Sequence, residues 1–227
     1  MPKSDYHRAV DMIQAALRPW LRERGFRCRG RNFNRATDDG LTQVIGIQMG
    51  PYDPPGTIEI PGFRENLHGW FTVNLGVYVP EAALYHYGGA ATWVVEARCA
   101  IRARLDQVSG ADCGLWWRAD AHPDVIEDIR ERLRIAGLPW LDGFASRERI
   151  LTEFDGLEQS RWCNTPRIVN AIIHAARGDA AAARTLLAAQ ARDAEERNPL
   201  HATRVREIAV KLGLDALDVS AKPYGPG

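Results

Sequence analysis

Lysine is nearly missing from this chain of 227 residues, with Lys3, Lys211 and Lys222 its three examples. The other cationic side chains are arginines, and 29 basic residues stand against 29 acidic ones for a formal net charge of zero. Proteins that live on phosphate backbones carry a marked basic excess, so general nucleic-acid binding is disfavoured and only a local basic patch remains open. Arginine in place of lysine, together with abundant alanine, is also the composition a GC-rich genome produces. Paired cysteines are missing too. Cys28, Cys99, Cys113 and Cys163 form no C-x-x-C unit, which removes the zinc-ribbon and thioredoxin readings. No apolar run approaches the ~18 residues of a membrane span, and the start MPKSDYHRAVDM lacks the basic-then-apolar pattern of a signal peptide. The expectation is a cytoplasmic protein with no membrane attachment. No Walker loop, G-x-G-x-x-G, H-E-x-x-H or G-x-S-x-G occurs, which weakens a catalytic reading without closing it. No cofactor and no metal are expected.

What the chain does have is an ordinary globular composition, 45% apolar and 26% charged. At this length folding buries roughly 70–75% of the unfolded surface, so a core forms without a metal or disulfide. Tyr6, Val10, Ile13, Leu17 and Leu21 recur at spacings of three and four, which predicts a helix from about Ser4 to Arg24. Ser4 is its N-cap and Gly25 its terminator, and Pro19 predicts a kink or a break before Trp20. FRCRGRNFNR (Phe26 to Arg35) reads as one strand, with arginines on one phase and Phe26 and Cys28 on the other. The turn Thr37 to Gly40 and LTQVIGIQM supply its hairpin partner. Gly50 to Gly69, rich in proline and glycine, is a loop around a short extended piece.

Phe71, Val73, Leu75, Val77 and Val79 then alternate without a miss, which predicts a strand with one buried face. Val95, Ala97, Cys99, Ile101, Ala103 and Leu105 repeat the alternation and predict a second strand, and a further strand falls near Trp116. No helices are interleaved, so the pairing is expected to be antiparallel. Helices take over with Pro123 to Gly137, a short one after Ser146, one opened by Thr165-Pro166 and ending at Gly178, an Ala-rich one capped by Asp179, and a last one closing at Gly213. The fold class is therefore α+β: an N-terminal helix, an antiparallel sheet of about four to five strands and a helical C-terminal half. The predicted organisation is an α+β domain over residues 1–143, a helical subdomain over 144–219 and a disordered tail over 220–227.

Several spaced blocks carry a likeness. Arg24-Gly25-Phe26 is followed by RGRNFNR, then QVIGIQ (Gln43 to Gln48), FTVNLGVYVP (Phe71 to Pro80), EARCAIRARLD (Glu96 to Asp106) and Trp116-Trp117. In this order the chain resembles the bacterial family catalogued as domain of unknown function 4304, across roughly residues 5 to 135. The resemblance implies a bacterial α+β domain and carries no established catalytic residues. Small bacterial families of this sort are suspected of protecting cells against toxins, which is an association by fold and size.

Three constellations are candidates for function. Arg27, Arg29 and Arg31 share a sheet face with Arg98, Arg102 and Arg104 if their strands lie close, which would make a forked-donor surface for carboxylates or phosphates. The competing reading is a solvated face balanced by Glu96. Aromatic density around Tyr78, Tyr85, Tyr87, Trp93, Trp116 and Trp117 suggests an interface, against ordinary core packing. Adjacent tryptophans on a strand point to opposite faces, so one is expected in the core. His68, His86, Asp112, Asp120 and His122 are a loose polar set for acid–base or metal chemistry, and the Tyr85–Gly89 run reads as a loop. Together these point to a non-catalytic protein-binding domain, of immunity or antitoxin type. Its expected binding residues are Arg27, Arg29, Arg98, Arg102, Arg104, Trp116 and Trp117, and its partner is a protein rather than a nucleic acid. The alternatives are an enzyme holding a small anionic substrate with arginines, and a scaffold that forms a homodimer through the C-terminal helices.

Overall fold

A computed structural model describes residues 4–51, 58–60, 66–87, 89–110, 114–214 and 217, the side chains of His86 and Tyr87 excepted. Along the chain come α1 (Asp5–Arg22), β1 (Arg27–Arg29), β2 (Asn32–Ala36), β3 (Thr42–Met49), β4 (Trp70–Tyr78) and α2 (Pro80–Tyr87). Then follow β5 (Ile101–Arg104), α3 (Leu105–Ser109), β6 (Trp117–Arg118), α4 (Pro123–Arg132) and α5 (Leu138–Gly143). The last elements are α6 (Arg147–Glu153), α7 (Pro166–Ala176), α8 (Ala180–Arg197) and α9 (Pro199–Lys211). The α+β class with an antiparallel sheet and a helical C-terminal half is what the sequence predicts. No helix among the described residues is long and apolar enough to cross a membrane.

The chain divides into two units. One comprises residues 1–78 and 93–145, and the other residues 79–92 and 146–227. The unit that holds the C-terminal residues also draws in 79–92 from the middle of the chain.

The first unit is built on the sheet β1-β2-β3-β4-β5, all antiparallel, with β6 pairing the N-terminal end of β4. On one face the row Cys28–Phe33–Ile45–Leu75–Ala103 crosses all five strands. Helix α1 covers this face with Val10, Ile13, Leu17 and Leu21, all buried. The α4–α5 run covers it too: the Leu133 and Leu75 side chains crowd Gly137, and the Gln43 amide donates to the Leu141 carbonyl at 2.6 Å.

Several local expectations are corrected. The break allowed for before Trp20 is absent: helix α1 runs through Pro19, and Arg130 donates to the Ala16 carbonyl at 2.7 Å beside the proline. Phe26–Arg35 is not one strand, because Gly30 with φ +57° turns the chain and folds β1 back on β2. Gly137 does not end its helix. The chain passes through a π turn at Leu133–Gly137 and on into α5, an arrangement that tolerates Pro139, which has no N–H to give. Tyr85 to Tyr87 are the last turn of α2 rather than a loop.

Two corrections bear on function. β4 is buried on both faces, since Thr72, Asn74 and Tyr78 are as sequestered as Val73 and Leu75. The Val95–Leu105 segment is a strand only at Ile101–Arg104. Glu96–Arg98 form a 3-10 turn, and Leu105 opens α3. The two corrections have one cause. Gly46 and Gly76 leave a trough on the second face, where a Cβ on Gly76 would lie 2.6 Å from Cys99 Sγ and one on Gly46 would lie 3.1 Å from the Glu96 Cβ. The 93–99 segment fills that trough. Asn34 fastens it as a strand neighbour would, donating to the Val94 carbonyl and accepting from the Val94 N–H, both at 2.9 Å.

The second unit is helical. Helix α7, opened by Pro166 after Thr165, packs against α2, α6 and α8, and α8 packs in turn on α9. Asp179 Oδ1 accepts the Ala182 N–H to cap α8, and Asn198 caps α9 by accepting from His201 N. Gly178 and Gly213 take positive φ at the C-terminal ends of α7 and α9, as the sequence predicts. The predicted disordered tail lies outside the described residues.

Candidate binding face

Strand register decides which side chains share the second face. Two rows cross it: Arg27–Asn34–Val44–Gly76–Arg102 and Arg29–Asn32–Gly46–Asn74–Arg104. Arginines therefore stand at both ends of both rows, as the alternation of their strands predicts. Neighbouring strands lie about 4.8 Å apart, so the two arginine pairs are separated by roughly 19 Å across the sheet. Between them lies the 93–99 segment.

On the β5 side the arginines form a file with tryptophans set among them. Arg104 lies over the Trp116 ring at 5.5 Å, and Arg118 over the Trp70 ring at 5.7 Å. Because Arg118 pairs with Trp70 and Arg102 with Gly76, six residues further along β4, the file extends roughly 20 Å. Trp117 points the other way, as expected for the second of two adjacent strand residues. It is buried, stacks on Phe71 with centroids 5.8 Å apart, and donates Nε1–H to Asp128 at 2.8 Å. Trp117 is therefore a core residue and no part of the surface.

The proposed arginines are not alike. Arg102 is held bidentate by Glu96, with Nε to Oε1 at 2.5 Å and Nη2 to Oε2 at 3.2 Å, while Glu96 itself is 8% exposed. This is the balance by Glu96 that a solvated face requires, present at Arg102. Arg98 sits in the 3-10 turn, half-buried, away from the strand phase that would align it with Arg102. Arg27, Arg29, Arg104 and Arg118 make no ion pair among the described residues, and Arg27, Arg29 and Arg118 are exposed. Arg31, at the β1–β2 turn, lies 3.7 Å from Asp11. Alternation alone finds Arg27, Arg29, Arg102 and Arg104. It misses Trp70 and Arg118, which meet through a two-residue pairing of β4 with β6. The one local signal for Arg118 is its place two residues after Trp116.

The other constellations resolve into structural roles where they are described. Tyr78 is buried, and Tyr85 and Trp93 are half-buried. Burial raises the Tyr85 hydroxyl above its ordinary range. His68 meets Tyr6 edge-on at 5.1 Å. Asp120 Oδ1 accepts the His122 N–H, and His122 caps α4 through Nδ1, so both serve the start of that helix. His86's side chain, Tyr87's side chain and Asp112 lie outside the described residues. No group of three or more His, Cys, Asp or Glu placed to hold a metal occurs among the described residues.

The described cysteines, Cys28, Cys99 and Cys163, are free thiols. Burial first and the Glu96 carboxylate second push Cys99 well above the ordinary thiol range, and burial pushes Cys163 to about 11. Neither is a nucleophile near neutral pH.

No family model, no curated protein and no solved structure matches this chain.

Proposed function

We propose that the sheet unit is a non-catalytic docking module whose second face binds an acidic protein surface. The observation that carries this reading is the unbalanced cationic file: Arg104 and Arg118, each laid on a tryptophan ring, with Arg27 and Arg29 across the face and no carboxylate on any of the four among the described residues. Arginine forks bind carboxylates in pairs of hydrogen bonds, and tryptophan and arginine are the residues most enriched at the energetic centres of interfaces. A protein is favoured over a nucleic acid for two reasons. One face of each tryptophan ring is already covered by a guanidinium, which limits stacking with bases. Glu96 also places a carboxylate in the middle of the face, where a phosphate chain would have to pass. The free thiols fit a reducing compartment, so the proposed setting is the cytoplasm. An immunity or antitoxin-like role is the proposed biological use, and membership of the family named above is part of the same proposal.

The test uses the full chain and a polyglutamate peptide as probe, with single-stranded oligonucleotide as comparison. Arg104→Glu and Arg118→Glu together are expected to weaken peptide binding at least tenfold, consistent with roughly 1.5–3 kcal/mol for a charged hydrogen bond. Binding should also fall steeply with salt. Equal affinity in wild type and double variant removes the face from the reading. Preference for the oligonucleotide removes the protein partner.

A further inference from the structure

The helical unit contains a cleft of about 500 Å³, open on one side, between α6, α7 and α8. That volume is in the range of small-molecule sites. Leu151 and Leu186 form its apolar wall, and its polar groups are Thr152, Asp155, Asn170, His174 and Thr185. Their hydrogen-bond partners determine what the cleft can accept.

Both hydroxyls of the cleft, and one of the two Asn170 amide protons, are already donated elsewhere. Thr152 Oγ1 donates to the Glu148 carbonyl and Thr185 Oγ1 to the Ala181 carbonyl, both at 3.0 Å. Asn170 gives Nδ2 to the Leu151 carbonyl at 3.4 Å. His174 Nδ1 lies 3.2 Å from Asp179 Oδ2, so its proton on that side is held by the carboxylate. Asp155 is exposed and has no cation partner among the described residues. Set against the one remaining Nδ2–H of Asn170, acceptor capacity predominates: two hydroxyl oxygens, the Asp155 carboxylate and the Asn170 Oδ1. The last is the most telling. Asn170 is 4% exposed on a helix that otherwise buries Ile168, Val169, Ile172 and Ile173, and its Oδ1 has no donor. An unsatisfied buried acceptor costs about 1–3 kcal/mol, so an amide in this position calls for a partner.

We infer that this cleft binds a small organic cation, a primary ammonium or guanidinium on a short alkyl stem. The stem lies along Leu151 and Leu186, and the cationic head donates to Asp155 and to the acceptors beside it. An anion has nothing to meet here, since no lysine or arginine lines the cleft. A bare metal ion is disfavoured because the oxygen and nitrogen donors do not gather into a ligand cluster. The cleft shares no residue with the arginine face, so the two proposals fail separately.

The experiment titrates the full-length chain with agmatine, followed by calorimetry and by NMR shifts of the Asn170 side-chain amide and the His174 ring. Glutarate, 1-pentanol and Mg²⁺ serve as comparisons. Agmatine is expected to bind saturably and to shift the Asn170 and His174 signals. Asp155→Asn, an exposed change that leaves the packing alone, is expected to weaken it about tenfold. Asn170→Leu, which fills the position without an acceptor, should weaken it further if the variant folds. The proposal is overturned by no saturable binding up to about 10 mM, by equal binding of glutarate or 1-pentanol, by Mg²⁺ displacing agmatine, or by an Asp155→Asn variant that binds as well as wild type.

Discussion

Two glycines control the second face of the sheet. At Gly76 a methyl group would meet the Cys99 Sγ at 2.6 Å and its Cβ at 2.8 Å, distances that no small adjustment relieves. At Gly46 the nearest atoms, Asn32 Oδ1 and Glu96 Cβ, are both 3.1 Å away, tight but within reach of a shift of a few tenths of an ångström in those two side chains. Gly76→Ala is therefore expected to lower stability by about 1–3 kcal/mol, the usual cost of overpacking, and Gly46→Ala by less. Urea denaturation of the two variants checks the order, and equal midpoints would mean that the 93–99 segment does not lie where it is described. Neither glycine has positive φ. Their role is one of space, which is why local sequence reading passes over them.

At the scale of elements, a half-buried ion pair holds the start of α2 to the start of α6. Arg147 grips Glu81 with Nε to Oε1 at 2.5 Å and Nη2 to Oε2 at 2.9 Å, and the two side chains are 19% and 13% exposed. Removing one partner strands the other charge, so Arg147→Met is expected to cost about 2–4 kcal/mol, while the double change Arg147→Met with Glu81→Leu recovers most of it. Thermal unfolding of both variants measures the difference, and a double variant no better than the single one sinks the account. Elements of this kind were unevenly legible in the sequence. The helices with caps and terminators, such as Asp179 before α8 and Gly178 after α7, were readable because their signals are local. The alternation of Phe71 to Val77 revealed β4 but not its second cover, since Thr72, Asn74 and Gly76 look like an outward phase until a distant segment is laid on them. Val95 to Cys99 kept a strand's period but lost a strand's conformation, because Arg98 and Cys99 donate back to the Val95 and Glu96 carbonyls, while Asn34, some sixty residues earlier, fastens Val94 just ahead of them. The binding face divides the same way. Arginines on alternating positions were visible, and the meeting of Trp70 with Arg118 was not, because it depends on which strands pair.

For the molecule as a whole, chain order and spatial grouping part company. The chain leaves the sheet unit after Tyr78, contributes α2 to the helical unit, and returns at Trp93. A chain ending at Ala145 would keep α2 but lose α7, the helix it packs on. Such a truncation is expected to bind hydrophobic dyes and to show less helix than its residues 1–145 carry in the intact protein. Fluorescence and circular dichroism test this, and a soluble truncation with full helix content would show that α2 does not need its partner.

The rim of the sheet has a consequence of its own. β1 is three residues long, two of them exposed arginines, and it is the outermost strand on its side. So brief and so charged a border offers little template for another backbone to zip onto, and it guards against fibril growth. A visiting chain meets side chains on the broad face before it finds unpaired amides at the margin.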